Sequence, residues 1–209
     1  MKNTKLNKED FNVFKIITLG DTFVGKTSIF KKYIYKTFGD IRNTIGMNIF
    51  AKELTLDNNK KIKLMLVDTS GTEKYKSLSK QYFKNADAVL FVFAFNIYES
   101  FQNIKQWINL YSEHNQLDVP KYLIGNKNDL ENNIPEVDIN EFLKKNNDFK
   151  FKSISAKNDV SKIDELFKEI GETLYEDYIK YGDRETKSIR VSSLKDQKES
   201  TCFISRCFI

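Results

Sequence analysis

The residues best able to do chemistry lie in one octet, Gly20-Asp21-Thr22-Phe23-Val24-Gly25-Lys26-Thr27, with Ser28 directly after it. The octet has the spacing G-x-x-x-x-G-K-[ST]. It follows the apolar, β-branched run Val13 to Leu19, which reads as a buried strand, and it opens a helical stretch from Lys26. In that context the pattern is a phosphate cradle. Backbone N–H groups and a helix N-terminus surround the anion, Lys26 adds a positive charge, and the Thr27 hydroxyl can ligate Mg²⁺. The rival reading, a plain glycine turn, requires neither the lysine nor the strand and helix on either side.

Three further polar groups fall at strand ends. Asp68-Thr69-Ser70-Gly71 closes the strand-like segment Lys61 to Val67. A carboxylate there can hold Mg²⁺ through water, and Gly71 lets a backbone N–H approach a terminal phosphate. Alone, Asp and Gly at a strand end more often mark a turn. Asn126-Lys127-Asn128-Asp129 follows the strand begun at Tyr122. The carboxylate of Asp129 can accept two N–H bonds from guanine, which adenine does not offer, and a buried unpaired acceptor penalises the wrong base. Ser155-Ala156-Lys157 follows the last strand, Phe149 to Ser155, and can supply a backbone N–H to the base oxygen.

These groups need a scaffold that brings strand ends together. Asn48 to Leu56 and Lys61 to Val67 flank Asp57-Asn58-Asn59-Lys60, a hairpin turn. Ala88 to Phe95 is apolar throughout, as a parallel strand covered on both faces should be. Phe101, Ile104, Ile108 and Tyr111 have helical spacing with Trp107 beside them, which makes Trp107 a core residue. Ile163, Leu166, Phe167, Ile170 and Leu174 mark a final amphipathic helix. The alternation predicts a doubly wound α/β fold: a six-stranded, mostly parallel sheet with one antiparallel hairpin and helices on both faces. Residues 1–11 read as an N-terminal extension, 12–181 as the domain, and 182–209 as a flexible tail with six Lys/Arg against four Asp/Glu and no periodicity.

Composition narrows the function classes. The 209 residues suffice for one well-buried domain, and 40% hydrophobic with 13% aromatic content indicates a sizeable core. The charge of +5 is spread widely, which permits contact with an acidic membrane surface but forms no nucleic-acid stripe. Cys202 and Cys207 are the only cysteines, so neither disulfides nor a cysteine-bound metal staple the core. The N-terminus is polar, and Lys2 stands where myristoylation needs glycine. The longest apolar run, Ala88 to Phe95, is far short of a membrane span. His114, the single histidine, has no ligand cluster around it and reads as a helix-end surface residue; a catalytic triad or zinc site is improbable.

With these motifs in order, the chain resembles the Ras superfamily of small GTPases, and within it the Rab family, over about residues 12 to 180. The residues that carry the likeness are Gly20 to Thr27, Thr44-Ile45-Gly46, Asp68 to Gly71, Asn126 to Asp129 and Ser155-Ala156-Lys157. Rab-like features are Thr44-Ile45-Gly46-Met47-Asn48, Lys63-Leu64, Gln81-Tyr82-Phe83-Lys84-Asn85-Ala86, Glu99-Ser100-Phe101 and Trp107. The resemblance implies a monomeric switch that binds GTP or GDP with Mg²⁺, hydrolyses GTP, and recruits effectors on the cytoplasmic face of an intracellular membrane. It also implies exchange and GTPase-activating partners. Thr44 would sense the γ-phosphate and complete a metal shell with Thr27 and Asp68. Lys26, Gly71 and Thr72 would be the catalytic group, and Phe38 would lie against the guanine edge. The switches would be loops around residues 38 to 46 and 69 to 83.

The chain departs from the family pattern in several places. Thr72 replaces the glutamine that orients the attacking water; its hydroxyl is shorter, so intrinsic hydrolysis should be slow. Some relatives also have threonine there and take the missing group from a partner, an effect on the order of 10³–10⁵ in rate. Phe23 is bulky where the family loop carries small residues; it either packs outward or obstructs a partner's inserted side chain. Phe38 sits six residues before Thr44, one fewer than usual. Val67 replaces a tryptophan that Rab proteins present to effectors, and Ala94 replaces an aspartate after the fourth strand.

The tail ends Ser205-Arg206-Cys207-Phe208-Ile209. Neither the C-a-a-X pattern nor a terminal cysteine pair is met. Cys202 and Cys207 still lie on a basic tail beside Phe203, Ile204, Phe208 and Ile209, which makes them lipidation candidates for holding a membrane surface. Three rivals stand beside the switch reading. The first is a GTP-binding module with negligible turnover, motivated by Thr72 and Phe23. The second is another phosphate-loop enzyme such as a nucleotide kinase, against which Asn126 to Asp129 argues. The third is nucleic-acid binding through the tail, which the charge count disfavours.

Overall fold

The computed structural model describes residues 12–39, 47–69, 83–115 and 118–182. Six strands form one sheet: β1 (Asn12–Leu19), β2 (Met47–Thr55), β3 (Lys61–Thr69), β4 (Ala88–Ala94), β5 (Lys121–Asn126) and β6 (Phe149–Ser153). Five helices are present among the described residues: α1 (Lys26–Tyr35), α2 (Tyr98–Gln102), α3 (Ile104–Ser112), α4 (Glu136–Lys145) and α5 (Val160–Tyr181). The strand order is β2-β3-β1-β4-β5-β6. Only β2 and β3 pair antiparallel; the other neighbours are parallel, as the sequence predicts.

Strand side chains alternate between faces, and the two faces carry separate cores. Ile16, Leu66, Leu90, Val92 and Ile124 face α1 and α5, where they meet Ile29, Phe30, Ile163 and Phe167. Ile17, Leu19, Phe91, Phe93 and Leu123 face α2, α3 and α4, where they meet Phe101, Ile104, Trp107 and Phe142. Each fully buried side chain of this size contributes about 1.5–3 kcal/mol, so the two faces rather than helix propensity hold the layers together. Aromatic contacts tie helices to helices and to the sheet. Tyr33 of α1 stacks on Phe167 of α5 at 4.0 Å, and Phe93 meets Phe101 edge-on at 5.1 Å.

The arrangement decides where the polar loops go. Strand β1 is flanked by β3 on one side and β4 on the other, so the loop after β1 lies at the point where the strand order reverses. In open parallel sheets this is where a crevice forms beyond the strand C-termini. The ends of β1, β3, β5 and β6 all reach that edge, and each carries one of the motifs found in the sequence.

Three details differ from the expected pattern. Helix α4 lies in a stretch for which the sequence reading named no element; only Ile139 and Phe142 of its ten residues are buried, with Leu143 packed partly against the same core. The helical spacing Phe101 to Tyr111 is divided at Asn103, which closes α2 and opens α3. His114 does end a helical turn, but its side chain is only 18% exposed and its ring lies 6.3 Å from that of Phe83, so it is packed rather than a surface residue. None of the helices among the described residues is long and apolar enough to cross a membrane.

Candidate functional site

The phosphate loop runs from Gly20 to Gly25 between β1 and α1. Gly25 has φ 97°, and a Cβ there would come within 2.2 Å of Asn126 Nδ2, so this position admits only glycine. Gly20 is just as confined: a Cβ would meet the Val92 carbonyl oxygen at 2.1 Å. Gly25 gives α1 no side-chain cap, and the first turn holds no acidic residue. The helix N-terminus therefore presents amide N–H groups and its positive dipole end to the loop.

Lys26 is 6% exposed, and its Nζ donates to the carbonyls of Gly20 at 2.8 Å and Asp21 at 2.6 Å. Burial holds its pKa down to about 8, against the raising influence of Asp68 and Asp21. The Thr27 hydroxyl donates to Asp68 Oδ2 at 2.6 Å, with Asp68 fully buried at the end of β3. A hydroxyl and a carboxylate oxygen meeting beside the phosphate loop are the hard donors that Mg²⁺ takes, so these two residues fit that ion. Thr69 Oγ1 donates to the Thr18 carbonyl at 2.7 Å, which fixes β3 against β1 at this point.

The second half of the site is built from β5 and the loop after β6. Asn126, 1% exposed, donates from Nδ2 to the Val24 carbonyl at 2.7 Å and accepts the Ala156 N–H on Oδ1 at 3.0 Å. One side chain thus joins the phosphate loop to both base loops. Asp129 accepts the Ser155 hydroxyl on Oδ1 at 2.6 Å. Lys127 adopts φ 62°, and burial lowers its pKa against the opposing charge of Asp129. The Lys157 N–H donates to Ser155 Oγ at 3.2 Å. The amides of Ala156 and Lys157, which the sequence offers to a base oxygen, are thus used to order the loop and to hold Asn126.

Supporting contacts here were not legible as motifs. Lys32 is 8% exposed, and its Nζ donates to the Lys157 carbonyl at 2.9 Å, which pins the last loop to α1. Its place on the buried face of α1, beside Ile29 and Tyr33, is the signal that could have found it. Asp159 accepts the Ser155 N–H at 2.9 Å. Asp21 accepts from Asn103 Nδ2 and from the Trp107 indole N–H, each at 2.8 Å. Trp107 is core, as its spacing implies, but it is also a hydrogen-bond donor to the phosphate loop.

The departures resolve unequally. Phe23 has φ 62° and is 59% exposed, so its ring points outward from the loop. Phe38 is 43% exposed. Val67 is 1% exposed, so this position offers no side chain to a partner. Ala94 is the last residue of β4, where its N–H and carbonyl both bond the Ser100 hydroxyl. Thr44, Gly71, Thr72, Cys202 and Cys207, together with most of both switch segments, lie outside the described residues. The structure brings Asp21, Thr22, Phe23, Val24, Gly25, Lys26, Thr27 and Ser28 to one edge of the sheet with Asp68, Asn126, Lys127, Asp129, Ser155, Ala156 and Lys157.

A family model described as Ras family matches residues 15–176. The chain is 32% identical over 157 residues to Ras-related protein SEC4 of Saccharomyces cerevisiae, covering 75% of this chain and 72% of that one. It is 32% identical over 167 residues to Ypt/Rab-type GTPase YPT7 of the same yeast, covering 76% and 80%. It is 34% identical over 166 residues to putative ras-related protein Rab-5B of Dictyostelium discoideum, covering 79% and 77%. Matches of this extent span both halves of the site described above. The chain belongs to the Ras family of small GTPases and is Rab-like within it.

Proposed function

We propose that this protein is a membrane-traffic switch that binds GTP and GDP with Mg²⁺, hydrolyses GTP slowly, and recruits effectors in the GTP state. The observation that carries the reading is the double role of Asn126, which ties the phosphate loop at Val24 to the base loop at Ala156. A ligand that fills both halves at once must carry phosphates at one end and a base at the other. Asp129, oriented by the Ser155 hydroxyl, supplies the carboxylate that favours guanine.

In hydrolysis, water attacks the γ-phosphorus and GDP leaves. Lys26 meets the developing charge with an ammonium already held at the loop by two carbonyls. Thr27 and Asp68, with Thr44, would hold Mg²⁺, which when bound neutralises charge on the phosphate oxygens. Gly71 would donate to the γ-phosphate, and Thr72 would be a poor orienter of the attacking water. Names of relatives that include Rab and Ypt support a role in vesicle traffic. Cys202 and Cys207 are the residues for a lipid anchor, and 182–209 is the segment that carries it away from the domain of 12–181.

The test is single-turnover hydrolysis of GTP preloaded with Mg²⁺, run beside a Thr72→Gln variant. Slow turnover that quickens roughly tenfold or more in the variant is the expected result, within the range a water-positioning group commands. Tight GTP binding with no turnover in either protein would favour the alternative, a nucleotide-dependent scaffold. The outward ring of Phe23 is the observation that favours that alternative, since it stands on the loop a partner's inserted side chain must approach.

A further inference from the structure

We propose that Asp21, Asn103 and Trp107 form a clasp through which helix α3 positions the phosphate loop and governs nucleotide release. The inference rests on the guanine-nucleotide reading above. A carboxylate inside a loop built for a polyanion is an electrostatic conflict, because any approach of Asp21 to the phosphates opposes binding. The structure resolves the conflict by occupying both carboxylate oxygens from the same side. Oδ2 accepts the Asn103 amide and Oδ1 accepts the Trp107 indole N–H, each at 2.8 Å.

The donors are well placed to act as fixed points. Trp107 is 8% exposed and packed in the same apolar cluster as Ile104 and Phe101, so its indole cannot follow a moving loop. Asn103 is the junction of α2 and α3, and the N–H groups of Gln106 and Trp107 both donate to its carbonyl. The main chain of the same aspartate meets the catalytic lysine, since the Asp21 carbonyl accepts from Lys26 Nζ at 2.6 Å. The chain of contact therefore runs from the core of α3, through the Asp21 carboxylate and carbonyl, to the ammonium that faces the phosphates. Asp21 and Trp107 also line an open cleft with Gln106, Leu110 and Glu113, so the clasp is reachable from solvent. Asp21, Asn103 and Trp107 act here as positioning residues: none needs to touch the substrate.

Trp107 is the sole tryptophan, which makes the clasp directly observable. The experiment follows release of N-methylanthraniloyl-GDP from the full chain, together with Trp107 emission, in the wild type and in Asp21→Ala, Asn103→Ala and Trp107→Phe. Each variant removes a charge-assisted hydrogen bond and is expected to speed release by about tenfold. The Asp21→Ala, Trp107→Phe double variant should release no faster than Asp21→Ala alone, because both break one contact. Wild-type Trp107 emission should shift on nucleotide binding, and the shift should be lost in Asp21→Ala. Should Trp107→Phe fail to fold, Asn103→Ala carries the test from a partly exposed position. Wild-type release rates in Asn103→Ala, or strictly additive effects in the double variant, would overturn the clasp while leaving the nucleotide reading standing. A wild-type protein that does not retain the labelled GDP overturns that reading and the clasp with it.

Discussion

The two ends of the nucleotide site are built by different means. At the phosphate end the work is done by backbone: a left-handed Gly25, an uncapped helix N-terminus and one buried lysine tied to two carbonyls. At the base end it is done by polar side chains: Asn126 Oδ1 accepts the Ala156 backbone N–H, and the Ser155 hydroxyl donates to Asp129. Departures from the family pattern occur at both ends: the Phe38 to Thr44 spacing, one residue short, concerns the aromatic expected at the guanine edge. Phe23 lies in the phosphate loop and Thr72 follows the Asp68 to Gly71 motif, whereas Asn126, Lys127, Asp129, Ser155, Ala156 and Lys157 all keep the family's residue types.

The sharpest way to break this contrast is at the one place where the two ends touch. Gly25→Ala puts a methyl group 2.2 Å from Asn126 Nδ2 at φ 97°. Backbone strain and a lost buried hydrogen bond together should cost about 3 kcal/mol, roughly a hundredfold in nucleotide affinity measured by calorimetry. Affinity near the wild-type value would show that the ends are independent. Next, Asp129→Asn removes an acceptor at the base end alone. Guanine affinity should fall by about 2 kcal/mol, with a matching loss of preference over adenine nucleotides in competition. An equal loss for ATP and GTP would mean that Asp129 supports the loop rather than reading the base.

Titration separates the ends without mutation. Lys26 has a pKa of about 8, below its ordinary 10.5, because of burial. Its contribution to stability is therefore present above the unfolded value and lost as pH falls through about 8. Nucleotide phosphates favour the charged form, so affinity should run the other way and weaken by about twentyfold between pH 7.5 and 9.5. A flat affinity profile over that range would remove Lys26 charge from the account of binding. The smallest effect expected is at Phe23. Replacing it with glycine relieves a left-handed L-residue and should stabilise the domain by about 0.5–1 kcal/mol in urea unfolding. No gain would mean that the ring has a packing partner that offsets its backbone strain.

Most of the sheet was legible because its strands are nearly pure signals. Ala88 to Ala94 is buried at every position, and β1 and β3 carry continuous apolar segments. Helix α4 was not legible, since a helix resting on Ile139 and Phe142, with Leu143 only partly buried, has a narrow apolar stripe. The phosphate and base loops were legible because their chemistry fixes residue type at fixed spacing. What escaped was every contact in which a distant element supports them: Lys32 to Lys157, Asp159 to Ser155, and Trp107 to Asp21. Such contacts join residues whose types are ordinary, and only the packing of helices on the sheet brings them within reach. Trp107 shows the limit well. Its helical spacing correctly gave burial, but periodicity contains nothing about where an indole N–H points.

Helix α5 begins beside the base loop, where Asp159 and Ser155 exchange two hydrogen bonds, and ends at Gly182 after 22 residues. At 1.5 Å per residue its axis is about 33 Å long. The chain therefore leaves the domain roughly the width of a small protein away from the base loop. Under the proposed tail anchor, whatever grips residues beyond 182 would do so at the far end of this helix, which would keep tethering apart from nucleotide exchange.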